Sequence, residues 1–304
     1  MVALVSSFVG QLPCRRHSTP SRTSSFLAPG SNFSSAGRPR SHARRLRSRT
    51  NAFPVVSQLK ALVFDCDGVI VESEGLHREA YNAAFQEFNI SCDGGSSTVI
   101  WDVEFYDVLQ NQVGGGKPKM RWYFNKHGWP VSSVVDKSPE TEEEQEKLID
   151  TLQDWKSQKY RDLIGSGEVS PRPGVLRLME EAKSKGLKVA VCSAATKGSV
   201  IFTLNNLLGK DRFESLDCFL AGDDVKEKKP SPLIYQVATQ KLGVKPEECV
   251  VVEDSAIGLA AAVGAGMRCI ITCTGSTKSQ DFEGAERVVD DLDGPPMVSI
   301  DEFL

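Results

Sequence analysis

The chain has 304 residues, of which 40% are hydrophobic and 25% are charged, so it can bury the core of one large domain or of two moderate ones. It contains no run of 18 apolar residues, which argues against a membrane-spanning helix. The formal net charge is -4, and without the basic residues 1–60 it is about -14, so the remaining body is a poor binder of nucleic acid or of anionic membranes.

The N-terminal segment is rich in serine and arginine. No Asp or Glu occurs in the first 64 residues, whereas nine arginines stand between Arg15 and Arg49. A basic arm that binds nucleic acid is one interpretation of this pattern. A Ser-rich, Arg-rich and acid-free N-terminus is more typical of an organellar transit peptide, which we predict over residues 1–54.

The first predicted strand ends on two closely spaced carboxylates. The apolar run LKALVF (59–64) is followed by DCDGV, in which Asp65 and Asp67 flank a single residue. Alternate side chains of an extended segment share a face. Two carboxylates that close repel each other, and the pKa of one rises unless a cation lies between them. An Asx-rich turn without a chemical role is the alternative interpretation.

The next hundred residues break the strand pattern and contain four helical stretches: 76–88, 104–113, 117–128 and 141–164. This length is too great for a single crossover connection, so it predicts an inserted α-helical cap domain over residues 74–165. The core domain would then consist of residues 55–73 and 166–304. Because the insertion begins just after the two aspartates, it could cover them.

From residue 175 onward, helices alternate with buried strands. The predicted helices are 175–186, 200–209, 232–243 and 258–266. The predicted strands, which join 59–64 in one sheet, are 187–192, 217–222, 249–253 and 268–272. Continuous apolar strands that alternate with helices predict an α/β fold with a doubly wound, Rossmann-like parallel sheet. Such sheets bind ligands at the carboxyl ends of their strands.

Polar residues follow three of these later strands. Ser193 follows the second strand, Lys229 follows the third, and Glu253 and Asp254 end the fourth. Each has a simpler interpretation, as a helix cap or as a solvated loop charge. Together with Asp65, however, Asp254, a backbone carbonyl and waters would form an oxygen-only site for a hard ion such as Mg²⁺.

These strand ends form a set that fits phosphoryl transfer. A phosphate oxygen would complete the shell of the ion, while Ser193 and the amides of a helix N-terminus would bind other oxygens. Lys229 would offset the charge that develops. Asp65 could then attack phosphorus, and Asp67 could protonate the leaving oxygen and later activate water.

The segments DCDGV, VCSAAT, KKPSPLIY and VVEDSAIGL are similar, in order and spacing, to the four motifs of the haloacid dehalogenase-like hydrolases. The similarity covers most of residues 58–275. It implies that Asp65 is the nucleophile and Asp67 the acid/base. The implied phosphate contacts are Ser193, Ala194 and Lys229. The implied metal ligands are Asp65, Asp67 and Asp254, with Glu253 in support.

The cap segments ESEGLH, EFYD and GGGKPKMRWYF resemble those of the CbbY-type phosphatases, whose plant chloroplast members hydrolyse xylulose-1,5-bisphosphate. The resemblance implies sugar contacts from Glu74, His77 and Tyr106. A second phosphate would bind the glycine-rich basic loop, at Gly114, Gly115, Gly116, Lys117 and Lys119. Arg172, just after the cap, is either a further phosphate contact or a hinge ion pair.

The sequence therefore predicts a Mg²⁺-dependent sugar-bisphosphate phosphatase of the chloroplast stroma. We expect a monomer whose partner is a small phosphorylated sugar, with no nucleic-acid or membrane partner. A phosphomutase of the β-phosphoglucomutase type uses the same four motifs and stays an alternative, as does a phosphatase for another small sugar phosphate. A non-catalytic sugar-phosphate sensor is disfavoured, because a sensor needs no acid/base such as Asp67.

Overall fold

In the computed structural model, which describes residues 58–92, 97–135 and 137–304, a six-stranded parallel sheet forms the centre of the core. Its strands are β1 (Ala61–Phe64), β2 (Lys188–Cys192), β3 (Cys218–Leu220), β4 (Cys249–Glu253), β5 (Arg268–Thr272) and β6 (Arg287–Val289). Their order is β3-β2-β1-β4-β5-β6. The predicted doubly wound parallel sheet is thus confirmed, and its order changes direction beside β1, where such sheets bind ligands.

The register of β1 brings the predicted strand-end residues to one edge. Phe64 pairs with Val191 of β2 and with Val252 of β4. The backbone N–H of Asp65 then donates to the Val252 carbonyl at 2.9 Å. The carboxyl ends of β1, β2 and β4 are therefore level with one another, and the polar residues that follow them meet above the sheet.

Successive side chains of β1 point to opposite faces of the sheet, and each face has its own hydrophobic core. Leu62 and Phe64 belong to one core, and Ala61 and Val63 belong to the other. The flanking helices of the core are α5 (Val175–Ser184), α6 (Lys197–Leu207), α7 (Lys210–Glu214), α8 (Leu233–Leu242) and α9 (Ala256–Gly264). Burial on both faces explains why the strands are continuous apolar runs.

Four helices between β1 and β2 form the predicted cap. They are α1 (Ser73–Glu87), α2 (Val103–Gln112), α3 (Gly116–His127) and α4 (Glu142–Gly165). The cap has its own core of aromatic and aliphatic side chains, centred on Trp101, Tyr81 and Phe85. A Thr141 capping box begins α4, with the hydroxyl accepting from the Glu144 backbone N–H at 3.2 Å. The cap is therefore a separately packed layer over the strand ends.

Two elements, β6 and α7, were not predicted. β6 has three residues at the edge of the sheet and leaves Val288 half-exposed, so it lacks a buried apolar run. α7 has only five residues and no buried side chain. None of the helices in the described ranges combines the length and the apolar character needed to cross a lipid bilayer. The predicted transit peptide, residues 1–54, lies outside the described residues.

Candidate active site

A buried lysine joins the carboxylates at the ends of β1 and β4. Lys229 Nζ lies 2.5 Å from Asp65 Oδ1, 2.6 Å from Glu253 Oε1 and 3.0 Å from the Cys192 carbonyl oxygen. These three acceptors use all three N–H donors of the ammonium. Burial opposes the charge on Lys229, but Asp65 and Glu253 raise its pKa well above the usual value. Lys229 is therefore a fixed positive charge beside the proposed nucleophile.

Three carboxylates converge around this lysine. Oxygen atoms of Asp65, Glu253 and Asp254 all lie within 4.8 Å of one another. Burial raises the pKa of Asp65 to about 7, although Lys229 acts against that rise. Burial, with the charges of Glu253 and Asp65, also raises the pKa of Asp254 well above its ordinary value. A donor set made only of oxygen, whose mutual repulsion Lys229 relieves only in part, fits a hard divalent cation.

Two glycines allow these carboxylates to approach so closely. A methyl group on Gly68 would lie 2.2 Å from Asp254 Oδ2, and one on Gly258 would lie 1.9 Å from the Glu253 carboxyl carbon. Gly68 also has a φ of +79°, which side chains disfavour. The acidic cluster can therefore form only because neither Gly68 nor Gly258 carries a side chain.

Asp67, which the sequence also predicted as a metal ligand, has its carboxylate outside this cluster. Its Oδ2 accepts a long hydrogen bond from the Ser193 hydroxyl, at 3.5 Å. Burial raises the pKa of Asp67, and the neighbouring Ser73, Lys229 and Ser193 act in the opposite direction. Burial raises the pKa values of Asp65 and Asp254 as well, so this shift does not separate an acid from a metal ligand. Asp67 therefore differs from the metal-binding candidates in the position of its carboxylate, outside the acidic cluster and beside Ser193.

These groups line a cavity of about 260 Å³ between core and cap. Lys229, Ala194 and the metal-binding candidates line the cavity from the core. Ser193, directly after β2, is fully buried beside them. Glu74 and two residues of α2 line the cavity from the cap. The core loop after β5 supplies Ser276, Thr277 and Gln280. Residues of both the core and the cap are therefore needed to form the site.

The cap side of the site contains the predicted sugar contacts Glu74 and Tyr106. The Tyr106 hydroxyl donates to Glu74 Oε2 at 3.0 Å. Lys119 Nζ lies 5.5 Å from the centre of the Tyr106 ring, and the residue is only 8% exposed. Burial raises the pKa of Glu74 and lowers that of Lys119, while each charge stabilises the other. Lys119 is therefore a buried cation that faces Glu74, the carboxylate that the sequence predicts to contact the sugar.

A second buried lysine, Lys156 of α4, was missed by the sequence analysis. Its Nζ lies 2.8 Å from Nδ1 of His77, whose ring stacks on Tyr160 with 4.2 Å between centroids. Burial lowers the pKa of Lys156 to about 8, and burial with the lysine charge lowers that of His77 well below 6.5. A neutral His77 that accepts at Nδ1 carries its proton on Nε2. The contact with Lys156 therefore leaves Nε2 of His77 as a hydrogen-bond donor.

The glycine-rich basic loop divides into two environments. Lys117 forms an ion pair with Asp150 at 2.8 Å, and 52% of its side chain is exposed. Gly114 and Gly115 are exposed, whereas Gly116 packs against Gln153 and Tyr81. Lys119 alone among the loop lysines is buried toward Glu74. The structure therefore separates two lysines that the sequence treated alike.

Arg172 lies at the crossing between core and cap. Its guanidinium donates to the carbonyl oxygens of Gly68, Thr272, Cys273 and Asp290, and its Nε lies 3.7 Å from Glu72. These contacts occupy the whole fork of N–H donors. The geometry favours the hinge ion pair over the phosphate contact that the sequence also allowed.

Comparisons with known proteins agree with this architecture. The model of the haloacid dehalogenase-like hydrolase family matches residues 59–266. A haloacid dehalogenase-like hydrolase domain-containing protein of Arabidopsis thaliana is 53% identical over 298 residues, which are 94% of this chain and 94% of that protein. A CBBY-like protein of the same plant is 45% identical over 237 residues, or 78% of this chain and 70% of its own length.

Two solved structures are also similar. CbbY from Rhodobacter sphaeroides, crystallised with phosphate, is 34% identical with a TM-score of 0.61, over 77% of this chain and 95% of its own. A variant of that protein with one aspartate replaced by asparagine was crystallised with xylulose-1,5-bisphosphate. It is 33% identical with a TM-score of 0.61, over the same shares of the two chains.

Proposed function

This chain belongs to the haloacid dehalogenase-like hydrolases and is a phosphatase related to CbbY; from that premise we propose that its substrate is a sugar bisphosphate, namely xylulose-1,5-bisphosphate. The observation that carries the proposal is the pair of buried cap lysines, Lys119 and Lys156, whose charges both act on Glu74 at the cavity wall. Among the described residues, Glu74 is the cavity-lining cap carboxylate whose charge acts on both lysines, so two positive charges face one negative charge and can accept a second phosphate.

At the reacting end, we assign Asp65 as the nucleophile. Its carboxylate oxygen attacks phosphorus and forms an aspartyl phosphate, while the leaving sugar oxygen takes the proton of Asp67. Asp67, now ionised, accepts a proton from the water that attacks the aspartyl phosphate. That step breaks the bond between phosphorus and the Asp65 oxygen and gives inorganic phosphate. Ser193 donates to a phosphate oxygen. Lys229, whose three N–H donors are taken by Asp65, Glu253 and the Cys192 carbonyl, stabilises the phosphate through its positive charge.

The acidic cluster is the proposed site for Mg²⁺. Asp65 and Asp254 would hold the ion, with Glu253 behind them, and the ion would neutralise charge on the phosphate when bound. Glu253 suits the supporting position because Lys229 and the Tyr235 hydroxyl already occupy its Oε1, each at 2.6 Å. Family membership and this donor set support the assignment.

At the other end, we propose that Glu74, Tyr106 and the Nε2–H of His77 bind the sugar hydroxyls. Lys119 would bind the distal phosphate together with backbone amides at the start of α3, where a helix N-terminus favours an anion. The CbbY variant crystallised with xylulose-1,5-bisphosphate supports this choice of substrate.

The test is phosphate release across a panel of sugar monophosphates and bisphosphates, with added Mg²⁺ and with EDTA. We expect the highest kcat/KM for xylulose-1,5-bisphosphate, one phosphate released per molecule, and loss of turnover in EDTA. Phosphorus NMR of the same reaction checks the reaction class. Movement of phosphate between sugar positions, with free phosphate constant, would identify a phosphomutase and overturn the proposal.

We also propose that the chain acts in the chloroplast stroma. The support is compositional, because residues 1–54 are basic, Ser-rich and free of acidic residues. Residues 1–54 fused to a fluorescent protein should accumulate in the stroma. A fusion that stays in the cytosol or enters the nucleus would overturn this part of the proposal.

A further inference from the structure

Helix α2 of the cap is hydrogen-bonded to the core loop that follows β5. Asn111 Nδ2 donates to the Ser276 carbonyl at 3.2 Å, and Gln280 Nε2 donates to Asn111 Oδ1 at 3.1 Å. All three residues line the catalytic cavity. These bonds join the two layers at the cavity wall.

The neighbouring Gln110 extends this contact to the sugar-binding carboxylate. With its amide nitrogen toward Glu74, that nitrogen lies 2.8 and 2.9 Å from the two carboxylate oxygens. The Gln110 carbonyl oxygen then accepts from the Ser276 hydroxyl at 3.1 Å. The opposite orientation would place a carbonyl oxygen against a carboxylate, which has no donor to offer. One amide therefore bridges the cap carboxylate and the core hydroxyl.

The core residues of this bridge are themselves held in place by hydrogen bonds. Ser276 is 7% exposed, and its hydroxyl lies 3.0 Å from Thr274 Oγ1. Gln280 Oε1 accepts from the backbone N–H of Ala256, the first residue of α9, at 2.8 Å. Ala256 is two residues beyond Asp254. The loop is thus fixed to the same segment that carries the proposed metal ligand.

We propose that Gln110 and Asn111 form a latch between cap and core, and that Gln110 positions Glu74 for the sugar when the cap is closed. Glu74 then receives donors from Tyr106 and Gln110, both in α2 of the cap, and the core hydroxyl of Ser276 holds the Gln110 amide in place. Opening the cap removes the Ser276 contact and frees the Gln110 amide to turn away. The proposal rests on the proposed function in one respect, that Glu74 contacts the sugar.

The first experiment measures kcat and KM for Gln110→Leu and Asn111→Ala, with xylulose-1,5-bisphosphate and with a small aryl phosphate. We expect kcat/KM for the bisphosphate to fall by about tenfold or more, equivalent to about 1.4 kcal/mol. The aryl phosphate does not reach Glu74 and should change by less than about threefold, which is within 0.7 kcal/mol on the same scale. The matched control is Gln112→Ala, an exposed position on the same helix, which should match the wild type on both substrates.

A double-mutant cycle tests whether Gln110 acts through Glu74. If it does, Gln110→Leu should add no further loss in a Glu74→Gln background, because the group it positions is already changed. Additive losses would overturn the proposal, as would a Gln112→Ala variant as slow as Asn111→Ala. Ser276→Ala removes the bridge from the core side and replaces Gln110→Leu if that variant has a lowered melting temperature.

Failure of this inference can be distinguished from failure of the proposed function. If the wild type does not hydrolyse xylulose-1,5-bisphosphate, the proposed substrate is wrong. The same cycle is then measured on the sugar phosphate with the highest kcat/KM in the panel. Non-additivity on that substrate supports the latch, and additivity refutes it whichever sugar is turned over.

Discussion

The two lysines of the glycine-rich loop provide the sharpest test of how the cap binds a second phosphate. Lys119 is 8% exposed and faces Glu74 and Tyr106, whereas Lys117 is half-exposed and paired with Asp150. The perturbation is Lys119→Met, with Lys117→Met as the matched control on the same helical turn. Methionine keeps much of the length of the side chain and removes its charge.

The expected magnitude follows from the two environments. A hydrogen bond between a charged donor and a phosphate contributes about 1.5–3 kcal/mol, and each 1.4 kcal/mol is about tenfold in an equilibrium constant. Lys119→Met should therefore raise KM for the bisphosphate by about 10- to 150-fold. Lys117 is solvated and already paired, so Lys117→Met should raise KM by less than about threefold.

The assay is steady-state phosphate release on the bisphosphate and on an aryl phosphate, with a thermal melt of each variant. The aryl phosphate is the internal reference, because it occupies only the reacting end. If Lys117→Met raised KM for the bisphosphate as much as Lys119→Met, the difference predicted from their burial would be refuted. An equal loss of Lys119→Met on both substrates would mean that this lysine serves folding or closure of the cap.

Three further predictions concern the core, the cap and the hinge. Asp65→Asn should abolish phosphate release without lowering the melting temperature, because an amide cannot attack phosphorus and also relieves repulsion in the acidic cluster. Burial lowers the pKa of Lys156 to about 8, so kcat/KM should fall as pH rises through 8, where the ammonium becomes neutral; Lys156→Met should be slow and lack this alkaline limb. Arg172→Lys should lower the free energy of unfolding in urea by at least about 1 kcal/mol, since lysine cannot reach all four carbonyls. Unchanged stability with a raised KM would instead make Arg172 a substrate ligand.

The sheet and cap were predictable because their patterns are local. Residues 249–252 are all apolar and the whole of β4 is buried, so this continuous apolar run locates the strand. The edge strand β6 has exposed or half-exposed side chains, and no local pattern distinguishes Arg287–Val289 from a loop. The polar residues at the strand ends were predictable for a related reason, since parallel strands in register bring their carboxyl ends together.

The cap side of the site was harder to predict, because helices bring together residues that are distant in sequence. Lys156 lies among many charged residues of α4, and its charge alone does not mark it. Its spacing does, since Leu148, Leu152, Lys156, Tyr160 and Ile164 recur every four residues along one buried stripe. A lysine within such an apolar stripe therefore indicates, from the sequence alone, a buried cation. Lys117 and Lys119 differ in burial because one pairs with Asp150 and the other faces Glu74. Both carboxylates are distant in sequence and come near only in the folded structure.

The two glycines of the acidic cluster have a consequence for genetic variation. A single base change converts a glycine codon into an alanine codon, and alanine is the mildest side chain that can be added. At Gly68 and Gly258 that one methyl group would overlap the carboxylates of Asp254 and Glu253. In a mutational scan read by activity, these two codons should therefore tolerate as little change as those of the charged residues, although they encode no reactive group.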